Sequence, residues 1–159
     1  MTPRAAALIE RLRLQPHPEG GWFAEVFRSA GEVDPRDGRA RRSALTSIYF
    51  LLEGGGASAW HRVRSDETWC HLEGARVLLH RLDPHTRSLS SVQLGPVDTE
   101  VEPQATVPAG HWQAARAQGE HALLACLVAP ASISRTSRCS ATATRWRRGW
   151  PNTIRNSRP

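Results

Sequence analysis

The sequence predicts an all-β fold, a sandwich or barrel of short antiparallel strands behind one short N-terminal helix, and three observations lead there. Segments rich in β-branched and aromatic residues recur at roughly eight-to-twelve-residue spacing. The links between them, such as EGGG, RSD, DPHT and PAG, are short enough for hairpins, which favours antiparallel pairing. No helical period appears between them.

The helix comes first. From Pro3 to Leu14 apolar residues fall at Ala5, Leu8, Ile9 and Leu12, with Thr2 as N-cap and Pro3 at the first position, so a helix is predicted that stops near Gln15. In PHPEGGW, Pro16 to Trp22, two prolines bias the chain to extended geometry and Gly20-Gly21 permits positive φ, giving a sharp, defined loop. Strands are then predicted at WFAEVFRS, ALTSIYFLLE, ASAWHRV, ETWCHLE, ARVLLHRLD, RSLSSVQL, QATVP, HWQAAR and HALLACLVA. The charged segment Gly31 to Arg42 reads as a mobile excursion between strands, either a solvated loop or an arginine lid facing substrate.

At 159 residues the chain fits one domain with its own core, which we assign to residues 1–129. No run of 18 apolar residues occurs and the N-terminus is broken by Arg4, Glu10, Arg11 and Arg13, so we expect a cytoplasmic protein without membrane span or signal peptide. Three cysteines, Cys70, Cys126 and Cys139, at wide spacing suit reduced thiols. A net charge of +6 ordinarily points to a polyanion. Its distribution argues against that, because seven of the 21 basic residues, and no acid, lie from Pro130 onward, leaving 14 basic against 15 acidic groups before it. Nucleic acid is therefore not an expected partner of the body.

Residues 130–159 lose strand alternation and long apolar runs as well as acids, and a disordered basic tail is expected there. The string ASISRTSR, Ala131 to Arg138, is also what one choice of codons for GFDFEDFE, a phrase similar to the continuation found in the family that this chain resembles, yields when read one nucleotide later. A frameshifted end is therefore the expectation for residues 130–159.

The stretch WHRVRSDETWCHLEG, Trp60 to Gly74, concentrates the chemistry. If Trp60 to Val63 and Glu67 to Glu73 pair across the turn Arg64-Ser65-Asp66, the two-residue period puts Glu67, Trp69 and His71 on one face, and His61 converges on Glu67 near the turn. A barrel interior there would shift both pKa values.

These residues carry a resemblance. Gly55, His61, Val63, Glu67 and Gly74 are spaced as in the first motif of the cupin superfamily, G(x)5HxH(x)3,4E(x)6G, with Val63 in the second histidine's place. Pro108-Ala109-Gly110 with Gln113 resembles the second motif, Gln113 standing where a histidine is usual. LQPHPEGGWF, TSIYFLLEGG, WHRVRSDETW and VPAGHWQAA are similar to one small cupin group long catalogued as a domain of unknown function, over about Ala7 to Pro130. The group's E-x-W-H arrangement would put a histidine at Cys70, and His71 takes a position normally aromatic.

The resemblance implies a cupin jelly roll, a double-stranded β-helix with a ligand pocket inside, and a homodimer. A cupin metal site takes imidazoles and a carboxylate. Only His61 and Glu67 stand in matching slots, Gln113 offers an amide oxygen, and His71 or His111 would have to complete the set. A divalent metal is thus an alternative, and no cofactor is the expectation.

Without metal, His61 is the candidate acid/base group, Glu67 its orienter, and Tyr49 the partner acid, an arrangement that resembles the sugar-nucleotide epimerases of the superfamily. Trp69, Gln113, Arg28, Trp22, His71 and His111 are candidate substrate contacts. Each aromatic has core packing as its plainer role, and each arginine, Arg62 and Arg64 included, has a surface charge as its own. The expected function is a small-molecule-binding cupin acting as a metal-independent isomerase or epimerase on a sugar or nucleotide-linked compound. The alternatives are a metal-dependent oxygenase or lyase, and a ligand sensor without turnover.

Overall fold

The computed structural model describes residues 1–132. The order is α1 (Pro3–Leu12), β1 (Gln15–Pro16), β2 (Trp22–Arg28), β3 (Glu32–Val33), β4 (Arg42–Ser43), β5 (Thr46–Glu53), β6 (His61–Arg62), β7 (Asp66–Gly74), β8 (Val77–Leu82), β9 (Leu89–Leu94), β10 (Gln104–Val107), β11 (Trp112–Ala117) and β12 (His121–Ala129). A six-stranded sheet, β1-β2-β5-β12-β7-β10, is opposed by a four-stranded sheet, β6-β11-β8-β9, and β3 pairs with β4 alone. The ladders are antiparallel.

Between the sheets lies the main core, with Phe50, Leu52, Trp69, Leu124 and Cys126 from the larger sheet against Val77, Leu79, Leu94 and Ala115 from the smaller. The outer face of the larger sheet is also covered: Ala5 and Leu8 of α1, with Leu14, pack on Leu51 and Leu123. A sheet buried on both faces needs apolar residues at successive positions, which is why TSIYFLLE and HALLACLVA read as continuous runs rather than alternations.

α1 is capped as its sequence suggests. The Thr2 hydroxyl accepts from the Ala5 N–H at 3.2 Å and Pro3 opens the first turn. It ends at Leu12, earlier than expected, because Arg13 turns left-handed (φ 53°) and the Leu14 N–H returns to the Ile9 carbonyl, seating Leu14 in the core.

The loop after β1 presses on the larger sheet. A Cβ added to Gly21, at φ +73°, would lie 2.6 Å from the Leu51 carbonyl oxygen. Gly21→Ala is therefore expected to destabilise the fold by roughly 1–3 kcal/mol in urea titration. Gly38→Ala, at φ +80° with nothing within 4 Å, should lose less; equal losses would show that the close approach is not what demands glycine at position 21.

Three expectations are corrected. ASAWHRV contributes only His61–Arg62 as strand, because the Ser58 and Ala59 N–H groups bond the Ala115 and Glu19 carbonyls instead of a neighbouring ladder. Residues 60–63 and 67–73 do not pair as a hairpin: β6 pairs with β11, whereas β7 pairs with β12 and β10 in the opposite sheet. The segment 31–42 is not all excursion, since it carries β3 and reaches β4.

No helix among the described residues is long and apolar enough to cross a membrane. Ala131 is fully buried and its N–H bonds the Ser43 carbonyl, so the described fold runs two residues past the boundary drawn at 129. The disordered and frameshifted readings of the tail fall, beyond Ser132, on residues outside those described.

Candidate functional site

His61 and Glu67 meet across the sandwich. Each reaches a cavity of about 240 Å³ from a different sheet, and each is 6% exposed. Gln113 on β11, next to His61 in register, joins them from below and is itself buried.

The hydrogen bonds around Gln113 determine every proton in the group. The Trp69 indole N–H has only a donor role, so the Gln113 oxygen, 3.0 Å away, must accept from it. The Gln113 NH2 therefore faces the other way, donating to Glu67 Oε2 at 2.5 Å and to His61 Nε2 at 3.0 Å. His61 Nε2 is then the acceptor and Nδ1 carries the hydrogen, donated to the Ala59 carbonyl at 2.9 Å with a Glu19 carboxyl oxygen at 3.2 Å beside it. The result is a continuous line Glu19–His61–Gln113–Glu67.

Glu19 was not foreseen from the sequence. It sits in the PHPEGGW loop, whose approach to the sheet at Gly20-Gly21 carries it into the cavity wall; its backbone carbonyl takes the Ala59 N–H at 2.6 Å. His17 comes with it, accepting the Glu19 N–H at Nδ1 and lying edge-on to Phe23 and Phe50. The available signal was two ionisable residues inside a loop stiffened by two prolines and bent at two glycines, a costly place for polar side chains without a task.

Burial governs the titration. It raises Glu19 to about 8, with the Glu67 charge adding to the effect. Burial also raises Glu67 to about 7 against the pull of the Gln113 hydrogen bond. It lowers His61 to about 4, partly offset by the Ala59 carbonyl. Near neutral pH the imidazole is neutral and the two acids hold a proton between them for much of the time.

Trp69 forms part of the cavity wall and stacks edge-on against Phe50 at 5.6 Å. Arg28 is at the cavity too, tied to Glu25 by two hydrogen bonds of 2.9 and 2.6 Å. Arg39 and Arg42, from the segment expected as a solvated loop or a lid, also line it.

Four candidates are elsewhere. Tyr49 lies on the outer face of β5 in the cluster beneath α1, because it alternates with the inward Ile48 and Phe50, and cannot serve as the acid opposite His61. Trp22 belongs to the same outer cluster and donates to Glu53 at 2.6 Å. His71 bonds the Ala75 carbonyl toward the far end of β7, and His111 stands in the turn before β11; neither lines the cavity.

The donor set does not fit a cupin-type metal. Val63 has no lone pair, His71 and His111 are absent from the cavity, and what Gln113 turns toward His61 and Glu67 is N–H, which repels a cation. Among the described residues no group of three or more His, Cys, Asp or Glu is placed to hold an ion.

A protein family described as Cupin superfamily (DUF985), Cupin_5, matches residues 6–134. A hypothetical protein from Leishmania major is 37% identical, with a TM-score of 0.72 over 79% of this chain and 81% of its own. A Shewanella oneidensis protein is 33% identical, with a TM-score of 0.72 over 80% and 78%. KdgF from Halomonas sp., 13% identical with a TM-score of 0.54 over 76% and 87%, shares the fold. No curated protein matches the chain.

Proposed function

The chain belongs to the Cupin_5 (DUF985) family of the cupin superfamily, and on that premise we propose that it is a small-molecule isomerase or epimerase that moves protons without a metal. Glu67 is the base and Glu19 the acid. One observation carries this reading: two carboxyl groups on different elements line one sheltered cavity, joined through His61 and Gln113.

The chemistry follows from the protonation states. Two acids whose surroundings set them apart supply both halves of a proton transfer. Between about 7 and 8, Glu67 is mostly carboxylate while Glu19 still holds its proton. Glu67 takes the proton from a carbon beside a carbonyl, leaving an enolate, and Glu19 gives one proton back at another position or face. One proton leaves the substrate and one arrives, and solvent exchange restores the pair. His61 acts as a positioning residue, since both its nitrogens are already engaged. The histidine base expected from the sequence gives way to the carboxyls beside it.

Solvent deuterium tests this. Incubated in D2O with hydroxy-aldehydes, hydroxy-ketones and keto acids, the protein is expected to wash deuterium into the C–H beside the carbonyl, followed by proton NMR. Compounds that raise Tm yet show no exchange above background would leave a sensor, not an enzyme.

A further inference from the structure

Arginines line the cavity, among them Arg39, Arg42 and Arg64. Arg39 is engaged, gripping Asp37 at 2.7 Å and donating to Ser65 Oγ at 2.9 Å, and Arg28 is neutralised by Glu25. Arg42 and Arg64 differ. Arg42 uses Nε on the Ala40 carbonyl and Arg64 uses one nitrogen on the Asp37 carbonyl, whereas the Arg62 guanidinium lies over the Trp112 ring at 5.4 Å, on the face of β6 and β11 opposite His61 and Gln113 and away from the cavity. Among the described residues neither Arg42 nor Arg64 forms an ion pair, the Asp37 carboxylate that attracts Arg64 being held by Arg39. Two held cations at one rim, each with N–H donors to spare, are a source of positive potential that low-dielectric walls focus inward.

The rim is also built. Arg39 on Ser65 and Arg64 on the Asp37 carbonyl fasten the 31–42 segment to the turn after β6, so both sides of the mouth are held at a common spacing. Inside, Phe23, Ile48, Phe50 and Trp69 make an apolar wall down to Glu67. At about 240 Å³ the space lies below the ~300–1,000 Å³ of typical ligand pockets. A whole nucleotide-linked sugar exceeds it.

We infer that Arg42 and Arg64 form an anion clamp that receives the carboxylate or phosphate group of a small substrate whose reacting carbon then lies near Glu67. This deepens the acid/base reading and rests on it for the second clause. Planar guanidinium forks suit both anions, and charge-assisted bonds to them are the stronger kind.

The test is calorimetric titration of the full chain with malonate and with inorganic phosphate, the tighter of the two identifying the preferred group. Saturable binding is expected, weakened about tenfold or more by Arg42→Gln and separately by Arg64→Gln, and unchanged by Arg76→Gln, whose side chain pairs with Asp98. No saturable binding of either anion would overturn the clamp. Equal affinity in both cavity variants would overturn it too, because that is how binding to the arginine-rich residues 133–159 behaves. Using two variants guards against one that misfolds. Clamp and chemistry fail separately: anion binding without deuterium exchange sinks only the proton transfer, while exchange into uncharged compounds, insensitive to either arginine, sinks only the clamp.

Discussion

Glu67→Gln is expected to lower turnover by ~10²–10⁴-fold while making the protein more stable at alkaline pH. The first effect is the usual worth of a positioned proton acceptor, and glutamine has no lone pair basic enough to replace it. The second has the opposite sign because the site strains the fold. In the folded protein Glu67 titrates at about 7, against 4.5 when unperturbed. The folded state therefore binds the proton more tightly than the unfolded one, and its advantage is complete below 4.5 and lost as pH rises through about 7. For a fully buried group that loss is on the order of 3 kcal/mol. Glutamine keeps the shape, can accept from Gln113 through its own oxygen, and never ionises. Urea titrations at pH 5.5 and 8.5 check this: wild type should weaken between the two and the variant should weaken less, Glu19 still titrating at about 8 or somewhat lower once the Glu67 charge is gone, while the depressed His61 adds the same opposing gain to both proteins as pH rises to 6.5. A variant that follows the wild-type pH dependence would mean that Glu67 does not ionise out of a buried acid.

The same burial explains what was legible beforehand. Glu67 and Trp69 were readable as neighbours because β7 keeps a two-residue period there, with Val128 and Cys126 opposite them in register. Gln113 was readable because the motif slot it fills is a spacing, and β11 preserves spacing. Tyr49 and Trp22 were misjudged for a reason specific to this fold. α1 covers the outer face of the larger sheet, so both faces of β5 are apolar and alternation no longer says which side is the pocket. Glu19 escaped because loops have no period. Only the opposed sheets and the Gly21 approach bring it to His61, and those are long-range facts that local pattern does not contain. The predicted hairpin placed His61 and Glu67 together by the wrong route: their meeting is made by sheet packing across Gln113, not by a shared ladder.

Replacing Val63 and Gln113 together by histidine is expected to create metal binding where the native residues oppose it. Val63 lines the cavity beside His61 and Gln113 stands between His61 and Glu67, so the double variant presents three imidazoles and a carboxylate to one point, a donor set suited to divalent Ni, Co or Zn. Two ligands are gained and the repelling N–H pair is removed. Since losing even the outer partners of ligands costs 10–100-fold in metal affinity, the gain should be at least ~100-fold over wild type. Val63→His alone should gain much less, because the Gln113 N–H groups still point into the site. Titration with nickel, read by calorimetry and by metal content after dialysis, distinguishes these. Stoichiometric tight nickel in the wild type would show that Gln113 turns its oxygen inward and leaves the Trp69 N–H to another partner, which would undo the proton assignment of the whole line from Glu19 to Glu67. A double variant that folds, keeps its cavity and still binds no metal would show instead that the two imidazoles cannot converge from β11 and the turn after β6.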